Sequence, residues 1–254
     1  MFTRRIVGVI AVVCLAFAVA TAQDLTLDEI LKKNEDAVGG AEAISKIQTL
    51  KMTVKMVVGG GQMEFPMTIR TKRPNLVRSD SEIQGKTIVS AYDGTTAWMV
   101  NPLTGSSEPQ KMDEKMAANL ASSDMDSSIG SLAAFKAAGH TVELLGKEDV
   151  EGSPAYKIKV TRKGGLTTTS LLDTGTYLPI KAITKVTQMG QEMEVEGYPS
   201  NYKKVGGVMF AFAMDAKVGG SSMMQMIFEK IEINEPMDDS IFKMPAAEKP
   251  VEKM

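Results

Sequence analysis

The chain has 254 residues, 24% of them charged, with 29 Lys and Arg against 31 Asp and Glu for a formal net charge of −2. That balance offers no basic footprint for nucleic acid. A single histidine excludes a multi-histidine metal site, so no metal centre is expected, and it leaves His140 as the one candidate base for a His-based triad.

In chain order, Arg4 and Arg5 precede an apolar run, "IVGVIAVVCLAFAVA" over 6–20, and "ATA" over 20–22 supplies small residues. This succession predicts a secretory signal peptide over 1–22, cleaved after Ala22. The run is short for a membrane anchor, which needs ~20 apolar residues. Cys14, the one cysteine, lies inside it, so the mature chain needs no disulfide and has no thiol nucleophile. Loss of Arg4 and Arg5 leaves 27 basic against 31 acidic residues, a net charge of −4.

Residues 24–47 read as helix, with Thr26 as cap, Glu29 as its capping-box partner and Gly39-Gly40 as a break. From Leu50 the period becomes two. Met52, Val54 and Met56 share one face, and Lys51, Thr53 and Lys55 the other, as in a half-solvated antiparallel strand. "GGGQ" at 59–62 turns the chain, and Met63, Phe65, Met67 and Ile69 continue the apolar face of a hairpin. Pro66, on the other face, predicts an edge or a bulge. Counting on by twos places Thr71 and then Arg73 on the apolar face.

Further strands are expected near 76–82, 86–92 and 96–100. Residues 110–138 lack alternation and predict two short helices. Met112, Met116 and Leu120 have helical spacing in the first, and Ile129, Leu132 and Phe135 in the second, with a flexible "SSDMDSS" between them. Strand patterns resume at 141–147, 154–162, 166–173, 179–188, 191–198, 207–218 and 222–233. Residues 246–254 read as a disordered tail. The reading is mainly β: a strongly curved antiparallel sheet or partial barrel of about ten to eleven strands. One face is apolar, and helices sit in its mouth.

Four stretches in this order, "KRPNL" (72–76), "YDGTTAWMVNP" (92–102), "DTGTYLPIK" (173–181) and "DDSIFKMP" (238–245), resemble the LolA-like, outer-membrane lipoprotein-sorting family. The resemblance covers most of the mature chain. It implies a single domain over 23–245, an unclosed antiparallel β-barrel (a half-barrel) whose helices cover an apolar concave face. It implies a periplasmic, monomeric carrier or chaperone for lipoprotein acyl chains or another lipid, not an enzyme, with membrane donor and acceptor proteins and without a cofactor. Met52, Val54, Met56, Met63, Phe65, Met67, Ile69 and Trp98 would line the cavity. Met112, Met116, Leu120, Ile129, Leu132 and Phe135 would belong to the lid. The arginine of "KRPNL", Arg73, would latch that lid. The same fold also suits an envelope sensor of lipid or lipoprotein.

The residues themselves leave other readings open. Apolar alternation describes an ordinary core as well as a binding face, although 19 methionines suit a soft lining. An arginine before proline at a strand end is commonly solvated. Asp93-Gly94 is a tight turn, His140 an inert loop residue, and Glu192, Glu194 and Glu196 a solvated strand face.

Overall fold

The computed structural model describes residues 24–121, 125–188 and 191–246. The expected leader, 1–22, lies outside the described residues, as does the tail beyond Ala246. Helix α1 (Leu27–Val38) starts at a complete capping box: Glu29 N donates to Thr26 Oγ1, and Thr26 N donates to the Glu29 carboxylate. Gly39 ends it at φ +130°, and a Cβ there would stand 2.6 Å from the Gly207 carbonyl oxygen. Only glycine fits that close approach. Helix α2 (Ala41–Ser45) follows.

Thirteen strands then form one antiparallel sheet. The first six are β1 (Thr49–Val58), β2 (Met63–Lys72), β3 (Leu76–Ile83), β4 (Lys86–Tyr92), β5 (Ala97–Asn101) and β6 (Ser106–Lys111). The other seven are β7 (Thr141–Val150), β8 (Ser153–Thr161), β9 (Thr167–Asp173), β10 (Pro179–Gln188), β11 (Gln191–Val205), β12 (Val208–Val218) and β13 (Ser221–Ile233). Between β6 and β7 lie α3 (Glu114–Ala121), α4 (Met125–Ile129) and α5 (Leu132–Ala137). The sheet order is β6-β5-β4-β3-β2-β1-β13-β12-β11-β10-β9-β8-β7. Two meanders are thus joined through the β1–β13 pair, and the sheet stays open, with β6 and β7 as its edges.

That order explains where the helices between β6 and β7 run. The chain leaves β6 at one edge and must reach β7 at the other, so its helical connection crosses between the two edges. Bulges at Thr53/Val54, Ala216/Lys217 and Leu144/Gly146 add local bend and twist, which curl a sheet.

Two buried clusters fill the concavity. Val38, Ile44 and Ile47 join Leu50, Met52, Val54, Phe210 and Phe212 beneath Met125 and Ile129 of α4. Ile30 and Leu31 of α1 join Leu132, Phe135, Tyr156, Ile158 and Leu172. Among the described residues no helix is long and apolar enough to cross a membrane.

Three details differ from the sequence expectation. Among the described residues the strands number thirteen rather than about ten to eleven: every stretch with strand alternation forms one, and "SSEPQK" adds an edge strand on β5 although its composition is polar. The inserted region holds three helices rather than two. Gly130, at φ +74°, separates α4 from α5, and α4 begins inside the stretch expected to be a flexible separator. Pro66 fits its expectation of an edge position: pairing of β2 with β3 starts only at Met67.

Candidate functional site

Register fixes which residues face inward. Met56 of β1 lies opposite Met226 of β13 on one side and Phe65 of β2 on the other, and Met226 lies opposite Met214 of β12. Four neighbouring strands therefore contribute Met214, Met226, Met56 and Phe65 to one transverse row. The next rows toward the β1–β2 turn add Val58, Met63 and Met224, and the row below adds Val54, Met67 and Phe228.

Burial grades along this face. Met52, Val54 and Met56 are buried under α4. Phe65, Met67, Ile69, Met214, Met224 and Met226 are half-buried, and Met63 is 42% exposed. The apolar face thus continues past the helix to the rim. Thioethers are unbranched and polarizable, so such a surface can reshape around an apolar guest.

Seven of the eight expected lining residues, all except Trp98, occupy this face. Trp98 is opposite Ala91, which is opposite Arg78, and that row belongs to the outer face of the sheet. Its Nε1 donates to the Phe242 carbonyl at 2.7 Å. Large, aromatic and on an alternating strand, Trp98 reads as a cavity residue. It is buried instead because the C-terminal segment folds over the convex side. Lys72 Nζ donates to Met237 O, and Arg78 Nη1 to Ile241 O, to hold that segment down.

Helix α4 is fastened in the mouth by charge as well as by Met125 and Ile129. Arg73 follows β2 and points inward, as its parity indicates. Its Nη2 donates to Asp126 Oδ1 of α4 at 2.9 Å, and its Nε donates to the Ile47 carbonyl at 2.9 Å. The guanidinium therefore bridges the α2–β1 connection and the lid. Its side chain is 26% exposed and that of Asp126 23%, so the pair is partly shielded from solvent.

A second clamp is uncharged. Asn34 of α1 is fully buried; its Oδ1 accepts from Leu132 N at the start of α5, and its Nδ2 donates to the Tyr177 carbonyl in the β9–β10 turn. Sequence reasoning missed both Asp126 and Asn34. Asp126 stood in a stretch that looked like linker. Asn34 sits in the apolar stripe of α1 beside Ile30, Leu31 and Val38, and a polar residue in such a stripe is the signal that was there to be used.

The other expected lid residues fall differently. Ile129, Leu132 and Phe135 are buried against the sheet or α1. Leu120 is half-buried. Met116 is 44% exposed, and Met112 precedes α3, with its N–H bonded to the Ala97 carbonyl. The helical spacing was read two residues too far upstream, because β6 runs to Lys111. His140 accepts from Lys163 N through Nδ1 and packs on the Phe135 ring. Among the described residues no cluster of three His, Asp or Glu could hold a metal ion.

The architecture is that of solved open-barrel proteins. A DUF1329-family protein from Desulfovibrio piger superposes with a TM-score of 0.59 at 14% identity, over 85% of this chain and 96% of that one. A LolA-superfamily protein from Nitrosomonas europaea gives 0.58 at 11% identity, over 87% and 98%. A putative outer-membrane lipoprotein-sorting domain from Vibrio parahaemolyticus gives 0.57 at 11% identity, over 84% and 94%. No protein-family model and no curated protein matches the sequence. The chain has the LolA-like fold, an unclosed antiparallel half-barrel with helices over its concave face.

Proposed function

We propose that this protein is an exported carrier that shelters the acyl chains of a lipoprotein or another lipid against its concave face, with α4 as the displaceable plug. The observation that carries this reading is the row Met214, Met226, Met56 and Phe65, half-buried except for the buried Met56, which continues the apolar face from beneath α4 toward the rim. The fold likeness to lipoprotein-sorting proteins supports it.

Magnitudes favour exchange. Burying Met125 and Ile129 stabilises the closed lid by roughly 3–6 kcal/mol in all. An acyl chain of about fifteen methylenes gains on the order of 12 kcal/mol on leaving water. A guest can therefore displace the plug, and the plug covers the hollow when the guest departs. Arg73 is the latch: its pair with Asp126 holds α4 in the mouth, and its bond to Ile47 O keeps the guanidinium in place when that pair opens.

Native mass spectrometry of the protein purified from the periplasm, with lipid extraction, tests the reading. Co-purified lipid or lipoprotein is expected. Arg73→Leu is expected to keep the fold and alter uptake and release. A protein that never acquires lipid would overturn the carrier, and an Arg73→Leu variant that takes up and releases lipid as the wild type does would overturn the latch.

A further inference from the structure

The two ends of the four central strands, β12, β13, β1 and β2, differ in charge. At one end stand the β1–β2 and β12–β13 turns, adjacent because β1 pairs with β13. They are bonded to each other: Gly59 N donates to the Met223 carbonyl. In a chain that is 24% charged, neither residues 56–63 nor residues 218–228 include a single charged side chain. At the opposite end the same strands carry Lys46, Lys72, Arg73, Lys204, Glu232 and Glu235 in or beside their turns.

The uncharged end is also the apolar one. Met63 is 42% exposed and Met223 53%. Register puts Met63 on the inner lip, opposite Val58, and Met223 on the outer side. Glycines at 59–61 and 219–220, all at positive φ, make both tips without bulky side chains, so the two methionines stand clear of their own turns. The inner lip is continuous with the methionine row of the concave face.

From this placement we propose that the joined β1–β2 and β12–β13 tips are a docking rim for a neutral lipid surface, entered by Met63 and Met223. The charge distribution selects this occupant. The hot spots of protein-binding surfaces are enriched in Trp, Tyr and Arg, and neither tip has any of the three. Anionic headgroups attract clustered lysines and arginines, which these tips also lack. Flexible, uncharged turns bearing thioethers match the interface of a zwitterionic bilayer, where apolar side chains enter without a binding partner of fixed shape. The charged opposite end then faces water. This docking stands apart from the carrier reading, because a rim that rests on a membrane need not carry a lipid away from it.

The test is co-flotation of the purified protein with zwitterionic phosphatidylcholine vesicles at low and at high salt. Flotation is expected at both, since apolar contact is not screened. Met63→Glu and Met223→Glu together are expected to lower the bound fraction at least tenfold. Both sites are exposed, and an unchanged thermal midpoint verifies the fold. Met63→Trp and Met223→Trp then place a fluorophore at the rim. Each is expected to be quenched by brominated lipid, while native Trp98, buried on the convex side, is not. A protein that stays with the soluble fraction, flotation that high salt abolishes, flotation indifferent to the glutamates, or rim tryptophans that brominated lipid leaves unquenched would each overturn the proposal. Uptake of single lipid molecules leaves the protein unfloated, so failure here and failure of the carrier reading are separable.

Discussion

At Asn34 one amide joins three elements. A buried polar group keeps its place only if its bonds are made, and here both ends of the amide are used, on Leu132 N and Tyr177 O. Asn34→Leu retains the volume and loses both bonds. Leaving buried donors and acceptors unpaired costs about 1–3 kcal/mol each, so the variant is expected to lose roughly 2–4 kcal/mol in urea denaturation. Faster amide exchange in α5 would accompany that loss. Asp173 works by charge. The Thr176 backbone N–H, helped by the Thr176 hydroxyl and the Gly175 N–H, holds its carboxylate below the usual range against the opposing effect of burial. A carboxylate depressed in the folded state contributes stability that is present above its unfolded pKa and is lost as pH falls through the folded value. Wild-type denaturation midpoints should therefore drop through the acid range. Asp173→Asn, which keeps the Oδ1 acceptor and removes the titration, should show a shallower drop.

Among the elements, the C-terminal strap does what the helices do on the other side: it covers apolar surface that the sheet leaves behind. The 3₁₀ turn over Asp239–Phe242 begins at Asp238, whose side chain accepts from Ser240 N, and it delivers Phe242 to full burial beside Trp98. Phe242→Ala should cost about 3–5 kcal/mol, the range for an aromatic removed from a packed site. A red shift of Trp98 emission, measured alongside denaturation, would report the loosened strap. On the concave side, α1 and α5 are held by Ile30, Leu31, Leu132 and Phe135 and by Asn34. The five-residue α4 is held by Met125, Ile129 and the Arg73–Asp126 pair. In the proposed carrier, α4 is accordingly the part of the lid that yields first, with Gly130 as its pivot.

For the whole molecule, the decisive contact is the longest in sequence. Strand β1 pairs with β13, so residues near 50 must find residues near 230 before the two meanders become one sheet. Closing so long a loop is entropically costly, and sheets dominated by non-local pairs refold on the order of milliseconds to seconds. Stopped-flow refolding followed by Trp98 emission should fall in that range. Trp98 reaches its final environment only when the strap after β13 arrives, so its signal should finish no earlier than β-sheet circular dichroism.

The strand alternation, the capping box at Thr26, the glycine break of the first helix and the inward parity of Arg73 were all legible in the residues, because each depends on neighbours a few positions away. So was the face shared by the residues from Met52 to Ile69, whose period of two survives whatever the sheet packs against. Three things were decided only in the folded molecule: what covers Trp98, the pairing of a polar β6, and the partners of Arg73 and Asn34. Trp98 and Ile69 follow the same local pattern, yet one meets the C-terminal strap and the other the buried cluster beneath α4. Local periodicity assigns a residue to a face, but which segment covers that face depends on contacts between distant positions, 144 residues apart for Trp98 and the strap and 53 for Arg73 and α4.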